Sequence, residues 1–138
     1  QIAQNKCIRF CLFLGNRSHI GVSEFKKIKC LPTKERVEQC ICVSAYKFCN
    51  DIAPAYTSDI YKRIDYNNTT RSGKHRLKQP FRSLNVGQKG LSYIGPKLWN
   101  NISSKIKSAV STNVFKHQIK DHFFRVIQEK EDNVYVYY

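Results

Sequence analysis

Hydrophobic side chains in the first third of the chain recur at every third or fourth position, which is the spacing of one face of an α-helix. This pattern predicts a first helix that stops at Gly15 and Asn16, a short second helix over residues 22–28, and a third from about Thr33 to Phe48. The predicted inward faces are Ala3, Cys7, Phe10, Cys11 and Leu14 in the first helix and Val37, Cys40, Ile41, Ser44, Ala45 and Phe48 in the third. Further apolar residues around the third helix predict a central, enclosed position.

The second half of the chain has a less regular pattern. Apolar residues at 77–84 and 89–94 flank turn-forming residues, so the pattern allows a short β-hairpin, with Pro80 confining its first strand to an edge. A short helix is expected around residues 97–100, and a long terminal helix can be capped by Ser111 or Thr112. The predicted fold class is mainly α, a small helical bundle whose second half has room for that hairpin.

With 138 residues, of which 41% are hydrophobic, the chain has room for one modest core. It contains no Met and begins at Gln1 inside an amphipathic pattern, so we expect a piece of a longer protein. A polar stretch at 65–73 has linker composition and separates a helical region, 1–64, from a basic C-terminal extension, 74–138. No segment reaches the roughly 18 to 20 consecutive apolar residues of a membrane span, and the start is not typical of a signal peptide. We expect an intracellular protein, in the nucleus or cytoplasm, that does not enter a membrane.

The distribution of charge changes this picture most. The formal net charge is +14, and no Asp or Glu occurs from Tyr66 to Lys120. Cations without nearby carboxylates are not neutralised by local ion pairs, and they gain free energy by displacing counterions from a phosphate backbone. The sequence therefore predicts nucleic acid as the partner, bound through backbone phosphates that carry no base sequence. The predicted contact residues are Arg71, Lys74, Arg76, Lys78 and Arg82, followed by Lys89 and Lys97.

The basic segment leaves one alternative partner open, because it could dock on an acidic protein surface, such as the remainder of its own polyprotein. If nucleic acid is the partner, the aromatic residues within the segment, Trp99 and Tyr93, could also stack on unpaired bases. A lone Trp beside Leu98 and Ile94 is, however, more typical of a hydrophobic core.

Metal binding and catalysis have less support in the sequence. Six cysteines lie in the first half, but Cys40 and Cys42 are separated by one residue, which is not the spacing of a structural zinc site. Their helix-like apolar positions predict reduced, buried thiols. The four histidines lack an orienting carboxylate at a triad-like position, and the acid-free span supplies no carboxylate pair for metal-dependent phosphoryl transfer. We expect neither a catalytic site nor a cofactor in this chain.

Several short segments follow one another in a characteristic order along the chain. The segments are 4–10, 31–36, 46–48, 53–56, 70–72, 87–100 and 115–116, and the most specific is Gly-Pro-x-Leu-Trp-Asn at 95–100. In this order and spacing they closely resemble the C-terminal part of reverse transcriptases from non-LTR (LINE-type) retrotransposons. The resemblance extends over nearly the whole chain.

This resemblance implies that the chain follows the fingers and palm of an RNA-directed DNA polymerase, and that residues 1–64 form a thumb-like region. In that family the thumb and the region behind it hold the template and primer duplex, while the metal-binding aspartates belong to a Tyr-x-Asp-Asp palm motif. That motif does not occur in this sequence, so no residue inherits a catalytic role. The cysteine spacings also depart from the cysteine-histidine knuckle of some relatives. The implied function is a noncatalytic grip on RNA or an RNA/DNA duplex, with the rest of the parent polyprotein as a second partner.

Overall fold

Helices make up most of the fold. The computed structural model describes residues 1–64 and 76–135, with side chains through Asp132. Within these residues it contains no β-sheet, and its helices are α1 (Ile2–Cys11), α2 (Val22–Lys27), α3 (Thr33–Cys49), α4 (Thr57–Ile60), α5 (Asn85–Gln88), α6 (Leu91–Asn101), α7 (Ser104–Lys107) and α8 (Thr112–Tyr135). The predicted mainly α class is confirmed. Of the helices described, none is both long and apolar enough to cross a bilayer.

The second half is more helical than its sequence pattern suggested. The β-hairpin that the pattern allowed at 77–84 and 89–94 does not form, because α5 occupies the expected turn and α6 begins within the expected second strand. In α6 the buried residues are Gly95, Pro96 and Trp99, a spacing that one helical face can bury and a strand with alternating sides cannot.

The first helix buries a different face from the predicted one, and the third buries the predicted face only in part, at Ala45. In α1 Ile8 is buried, whereas Phe10 is 82% exposed. The buried residues of α3 are Gln39, Cys42, Ala45 and Tyr46, while Val37 and Cys40 are exposed. Both helices carry apolar residues on more than one face, so the spacing alone does not select the face that tertiary packing uses.

The chain divides into two compact units. Unit 1 combines the first 39 residues with the chain from Ile119 onward, and unit 2 is formed by Cys40 to Gln118. In unit 1, α8 contacts α2: the Glu131 carboxylate accepts a hydrogen bond from the N–H of Val22 at 3.1 Å. The linker predicted at 65–73 falls on residues outside the described ones, and that division of the chain stays a prediction.

The core of unit 2 is built around aromatic side chains. The rings of Tyr46 and Phe115 stack with centroids 4.3 Å apart, and the Trp99 ring lies 5.9 Å from that of Phe115. The Tyr46 hydroxyl donates to the carbonyl of Ala109 at 2.7 Å, so the polar atom of this buried ring has a partner. Trp99 is 0% exposed. Its interpretation as a core residue is therefore confirmed, and stacking on a base is excluded in this conformation.

Candidate nucleic-acid interface

The described part of the basic segment begins with a short stretch of paired backbone. Leu77 and Arg63 form an antiparallel bridge, and the N–H of Lys78 donates to the carbonyl of Lys62 at 2.8 Å. Side chains alternate along extended backbone, so the burial of Leu77 turns its neighbours Arg76 and Lys78 outward. The pairing therefore brings Lys62 beside Lys78.

Asn100, near the end of α6, fixes the position of Leu77. Its side-chain amide donates to the carbonyl of Leu77 at 2.9 Å and accepts from the N–H of Leu77 at 3.0 Å. Because an amide offers a donor and an acceptor as a peptide group does, Asn100 pairs with Leu77 as a neighbouring strand would. Both backbone groups of this buried residue are thereby satisfied.

Gly95 allows α6 to approach Tyr61, the residue before Lys62. A β-carbon at position 95 would lie 2.5 Å from Cε1 of Tyr61, which is closer than packed atoms approach. Tyr61 is fully buried, and its hydroxyl shares a hydrogen bond with that of Ser44 at 2.8 Å. Burial raises the pKa of Tyr61. The segment at 95–100 thus has a structural role, since it contacts the paired backbone at Leu77 and beside Lys62.

Arg63 stabilises the end of α3. Its Nη2 donates to the carbonyls of Phe48 at 3.1 Å and Cys49 at 3.3 Å and to the Asp51 carboxylate at 2.6 Å. The guanidinium also lies 5.4 Å from the centroid of the Phe48 ring. A cation at a helix C-terminus interacts favourably with the last carbonyls. Arg63 therefore serves the fold, whereas the preceding residue, Lys62, lines a surface groove.

Cations from two separate parts of the chain line one surface groove. It is a depression of about 270 Å³ lined by Asp59, Ile60, Lys62, Lys78, Pro80, Arg82 and Ser92. We refer to Lys62, Lys78 and Arg82 as the basic groove. Asp59 offsets one of these three charges, which leaves the lining net positive beside the Ser92 hydroxyl. Helix α5 supports Arg82, because the Gln88 amide donates to its carbonyl at 3.0 Å.

Arg76 lies near a second cation, Lys107. Burial lowers the pKa of Lys107, and the positive charge of Arg76 lowers it further. The Lys107 ammonium donates to the carbonyl of Asn100 at 3.4 Å and lies 5.4 Å from the centroid of the Trp99 ring. Lys107 therefore packs against the segment at 95–100, while Arg76 faces solvent.

The predicted contact residues that the structure describes are all on the surface. They are Arg76, Lys78, Arg82, Lys89 and Lys97. Lys78 and Arg82 meet in the basic groove, Lys89 follows α5, and Lys97 projects from α6. Arg71 and Lys74 lie outside the described residues. The structure thus brings two of the predicted cations together in the basic groove and places Arg76, Lys89 and Lys97 outside it.

Lys62 is the residue of the basic groove that sequence reasoning missed. It precedes Asp65 and so lies outside the acid-free span, Tyr66 to Lys120, from which the contact residues are predicted. The sequence signal for this residue is the adjacent pair of cations, Lys62 and Arg63. Whether Lys62 joins the groove depends on the backbone pairing with Lys78, which the spacing of residues in the sequence does not show.

The cysteines are free thiols in differing environments. Cys42 is buried as predicted, but that prediction is wrong for Cys7, Cys11 and Cys40, which are exposed. Burial raises the pKa of Cys49 to about 11, against the opposing charges of Arg63 and Lys107, so its thiol stays protonated at neutral pH. Across the part of the chain that the structure describes, no three His, Cys, Asp or Glu side chains are placed to share a metal ion.

Comparisons with protein-family models, curated proteins and solved structures give no match for this chain. The observations that bear on its function are therefore its own: the basic groove, the structural role of the segment at 95–100, and the exposed cations around them.

Proposed function

We propose that this chain is a noncatalytic C-terminal part of a retrotransposon RNA-directed DNA polymerase that holds RNA or an RNA/DNA duplex by its backbone phosphates. The observation that carries the proposal is the convergence of Lys62, Lys78 and Arg82 on one groove. Charged side chains close together repel one another in the free protein, and a polyanion removes that repulsion while releasing its own counterions.

The support beneath the groove suits a phosphate ligand. Lys78 and Lys62 extend from paired backbone that Asn100 and Tyr61 hold in place, so the backbone that carries the two cations is fixed before a ligand arrives. Binding then has to order only the two side chains, which lowers its entropic cost. Lysine binds phosphate as a point charge, and a contact to a backbone phosphate carries no base sequence, so we expect affinity with little sequence preference.

The parentage rests on the resemblance of the ordered segments, above all the one at 95–100. Its residues support the basic groove, which gives a physical reason for a phosphate-binding protein to carry that segment. The proposal assigns no catalytic residue and no cofactor to this chain. With a primed template, nucleotides and divalent metal, the purified protein should give no primer extension.

The decisive measurement is the salt dependence of binding to a short RNA/DNA duplex, followed by fluorescence anisotropy. Each phosphate contact contributes about 0.7 to 0.9 to the slope of log K against log salt, so Lys78→Glu with Arg82→Glu should reduce that slope by roughly 1.5. Lys34→Glu with Lys130→Glu removes the same net charge from exposed positions of unit 1 and should change the slope little. An equal loss of slope in both double variants would contradict a local site.

Docking of the basic segment on an acidic protein remains the competing function. Polyglutamate at matched charge, added to the preformed complex, tests it. If polyglutamate displaces the duplex and itself binds more tightly, the basic groove recognises carboxylates and the proposed function is wrong. If an unlabelled duplex displaces polyglutamate instead, phosphate is the preferred ligand.

A further inference from the structure

Helix α1 turns large apolar side chains toward solvent. Phe10 is 82% exposed, Ile2 is 78% exposed and Phe13, just beyond the helix, is 95% exposed, whereas Ile8 on the opposite side is 1% exposed. A group of exposed apolar side chains on a small protein leaves a large apolar area in water. Such surfaces usually mark a place where a partner binds.

Polar contacts within unit 1 fix α1 in this orientation. The Gln4 amide donates to the carbonyl of Leu31 at 2.8 Å and accepts from the N–H of Thr33 at 3.0 Å. Arg9 Nε donates to the carbonyl of Ser18 at 2.9 Å. Turning the helix to bury Phe10 would break these hydrogen bonds, so the outward face belongs to the folded unit.

Phe13 is placed in an unusual backbone conformation at the edge of this face. Its φ is 53°, in the left-handed region, where a helix end normally has glycine or asparagine. The N–H of Phe13 donates to the carbonyl of Phe10 at 3.2 Å, and that of Leu14 to the carbonyl of Arg9 at 2.8 Å. A bulky residue here is disfavoured by the backbone and gains no burial in return. Within the described residues, therefore, nothing accounts for Phe at this position, whereas a bound partner would.

The apolar residues border a depression with positive charge at its rim. The depression has a volume of about 640 Å³ and is lined by Lys6, Arg9, Phe10, Phe13, Leu14 and Asn16. From Gln1 to Ser23 the chain has no Asp or Glu. We propose that this α1 surface, meaning the six lining residues, binds an acidic amphipathic helix of a partner protein, with apolar side chains in the depression and carboxylates facing Lys6 and Arg9. This interface is separate from the basic groove and does not depend on the function proposed for it.

Charge and shape favour this occupant over two others. A second copy of this chain carries the same net charge of +14, which opposes self-association. A lipid surface would attract the cations, but it has no projecting side chain to fill a depression. A helix with apolar residues at i, i+3, i+4 and i+7 and glutamates elsewhere supplies both the side chains and the charge.

The probe for this test is a fluorescent synthetic helix with Leu and Phe at those positions and Glu at the remainder. Its control has the same composition in an order that forms no apolar face. The full chain should bind the amphipathic peptide at least about tenfold more tightly than the control peptide. Phe13→Gly, which keeps the left-handed backbone, and Lys6→Glu should each weaken binding about tenfold or more. Phe81→Ser, at another Phe that is 92% exposed, should leave the affinity unchanged.

Three results would overturn the proposal. The first is equal affinity for the two peptides, and the second is no effect of Phe13→Gly. The third is binding to vesicles of anionic phospholipid, or self-association, that depends on Phe13 while the amphipathic peptide fails to bind. The variant Lys78→Glu with Arg82→Glu should bind the peptide normally, which separates this proposal from the one for the basic groove.

Discussion

The basic groove and the α1 surface are both positively charged, but they are built in opposite ways. In the groove, Lys62 and Lys78 stand on a buried base in which Tyr61 and Leu77 are almost fully enclosed. On the α1 surface Lys6 and Arg9 line a depression together with an aromatic residue, Phe13, that is 95% exposed. Cations above a closed core suit a partner that brings only charge, such as phosphate. Cations around exposed apolar side chains suit a partner that brings both charge and apolar surface.

The largest expected effect is on the free energy of unfolding, and it separates a buried aromatic residue of unit 2 from an exposed one on the α1 surface. Trp99→Ala should destabilise unit 2 by about 3 to 5 kcal/mol, because it removes a fully buried ring and leaves a cavity. Phe10→Ala, at a side chain that is 82% exposed, should change the free energy of unfolding by less than about 0.5 kcal/mol. Urea unfolding followed by far-ultraviolet circular dichroism measures both. Comparable losses would show that α1 packs inward and would remove the contrast.

A smaller difference in stability is expected between alanine substitutions at two glycines. Gly95→Ala should cost up to about 3 kcal/mol, because the new β-carbon would overlap the Tyr61 ring in a packed core. At Gly15, beyond the end of α1, a β-carbon would meet Ser18 Oγ at an ordinary 3.5 Å, so Gly15→Ala should be nearly neutral. Thermal unfolding of the pair tests whether the close approach at Gly95 is required. The Gly95 variant should also bind the duplex less tightly, although its charge is unchanged.

Asn100 offers a test of how the groove is positioned. Asn100→Ala leaves the N–H and carbonyl of buried Leu77 without their partner, at a cost of about 2 kcal/mol. Its exposed neighbour, Asn101, provides the matched Asn101→Ala control, which should be close to wild type in stability. Duplex affinity should fall in the Asn100 variant alone. If it does not, Lys62 and Lys78 bind phosphate without the support of the segment at 95–100.

Helix positions in this molecule could be predicted from the sequence more reliably than the faces those helices bury. The starts of α2 and α3 are at the predicted residues, because the local spacing and Pro32 specify them. The buried faces of α1 and α3 could not be chosen, since each helix has apolar residues on several sides. In α1 the predicted inward residue Phe10 is exposed, because side-chain hydrogen bonds of Gln4 and Arg9 fix the helix by its other side.

The basic groove could be predicted only in part. An absence of carboxylates is visible in the sequence, and it indicated Lys78 and Arg82. Lys62 lies beside them because its backbone pairs with that of Lys78, and a single sequence does not show which distant residues pair. The segment at 95–100 is distinctive in the sequence, but its structural role depends on the contacts of Gly95 with Tyr61 and of Asn100 with Leu77, which the sequence does not show.

The buried thiol of Cys49 predicts a pH dependence confined to unit 2. Burial raises its pKa from 9.0 to about 11, and burial raises the pKa of Tyr61 in the same direction. Well below pH 9 both the folded and the unfolded state hold the Cys49 proton, and this group leaves stability unchanged. As the pH rises through 9.0 the unfolded state loses that proton first, so the folded state loses stability up to about pH 11. Chemical denaturation across this range should show the decline, and Cys49→Ala should reduce it. Iodoacetamide should also modify exposed Cys40 before Cys49. Equal modification rates would contradict the burial of this thiol.

The smallest predicted change is a gain in stability at Phe13. Glycine adopts the left-handed conformation without the steric cost of a side chain, which is about 1 to 2 kcal/mol for other residues, and glycine's greater freedom in the unfolded state cancels part of that gain. Phe13→Gly should therefore stabilise unit 1 by less than about 1 kcal/mol. Phe13→Ala, which keeps the β-carbon, should give no such gain. If Phe13→Gly instead destabilises the unit, the Phe13 ring contributes to the fold, and the argument that a partner accounts for this residue fails.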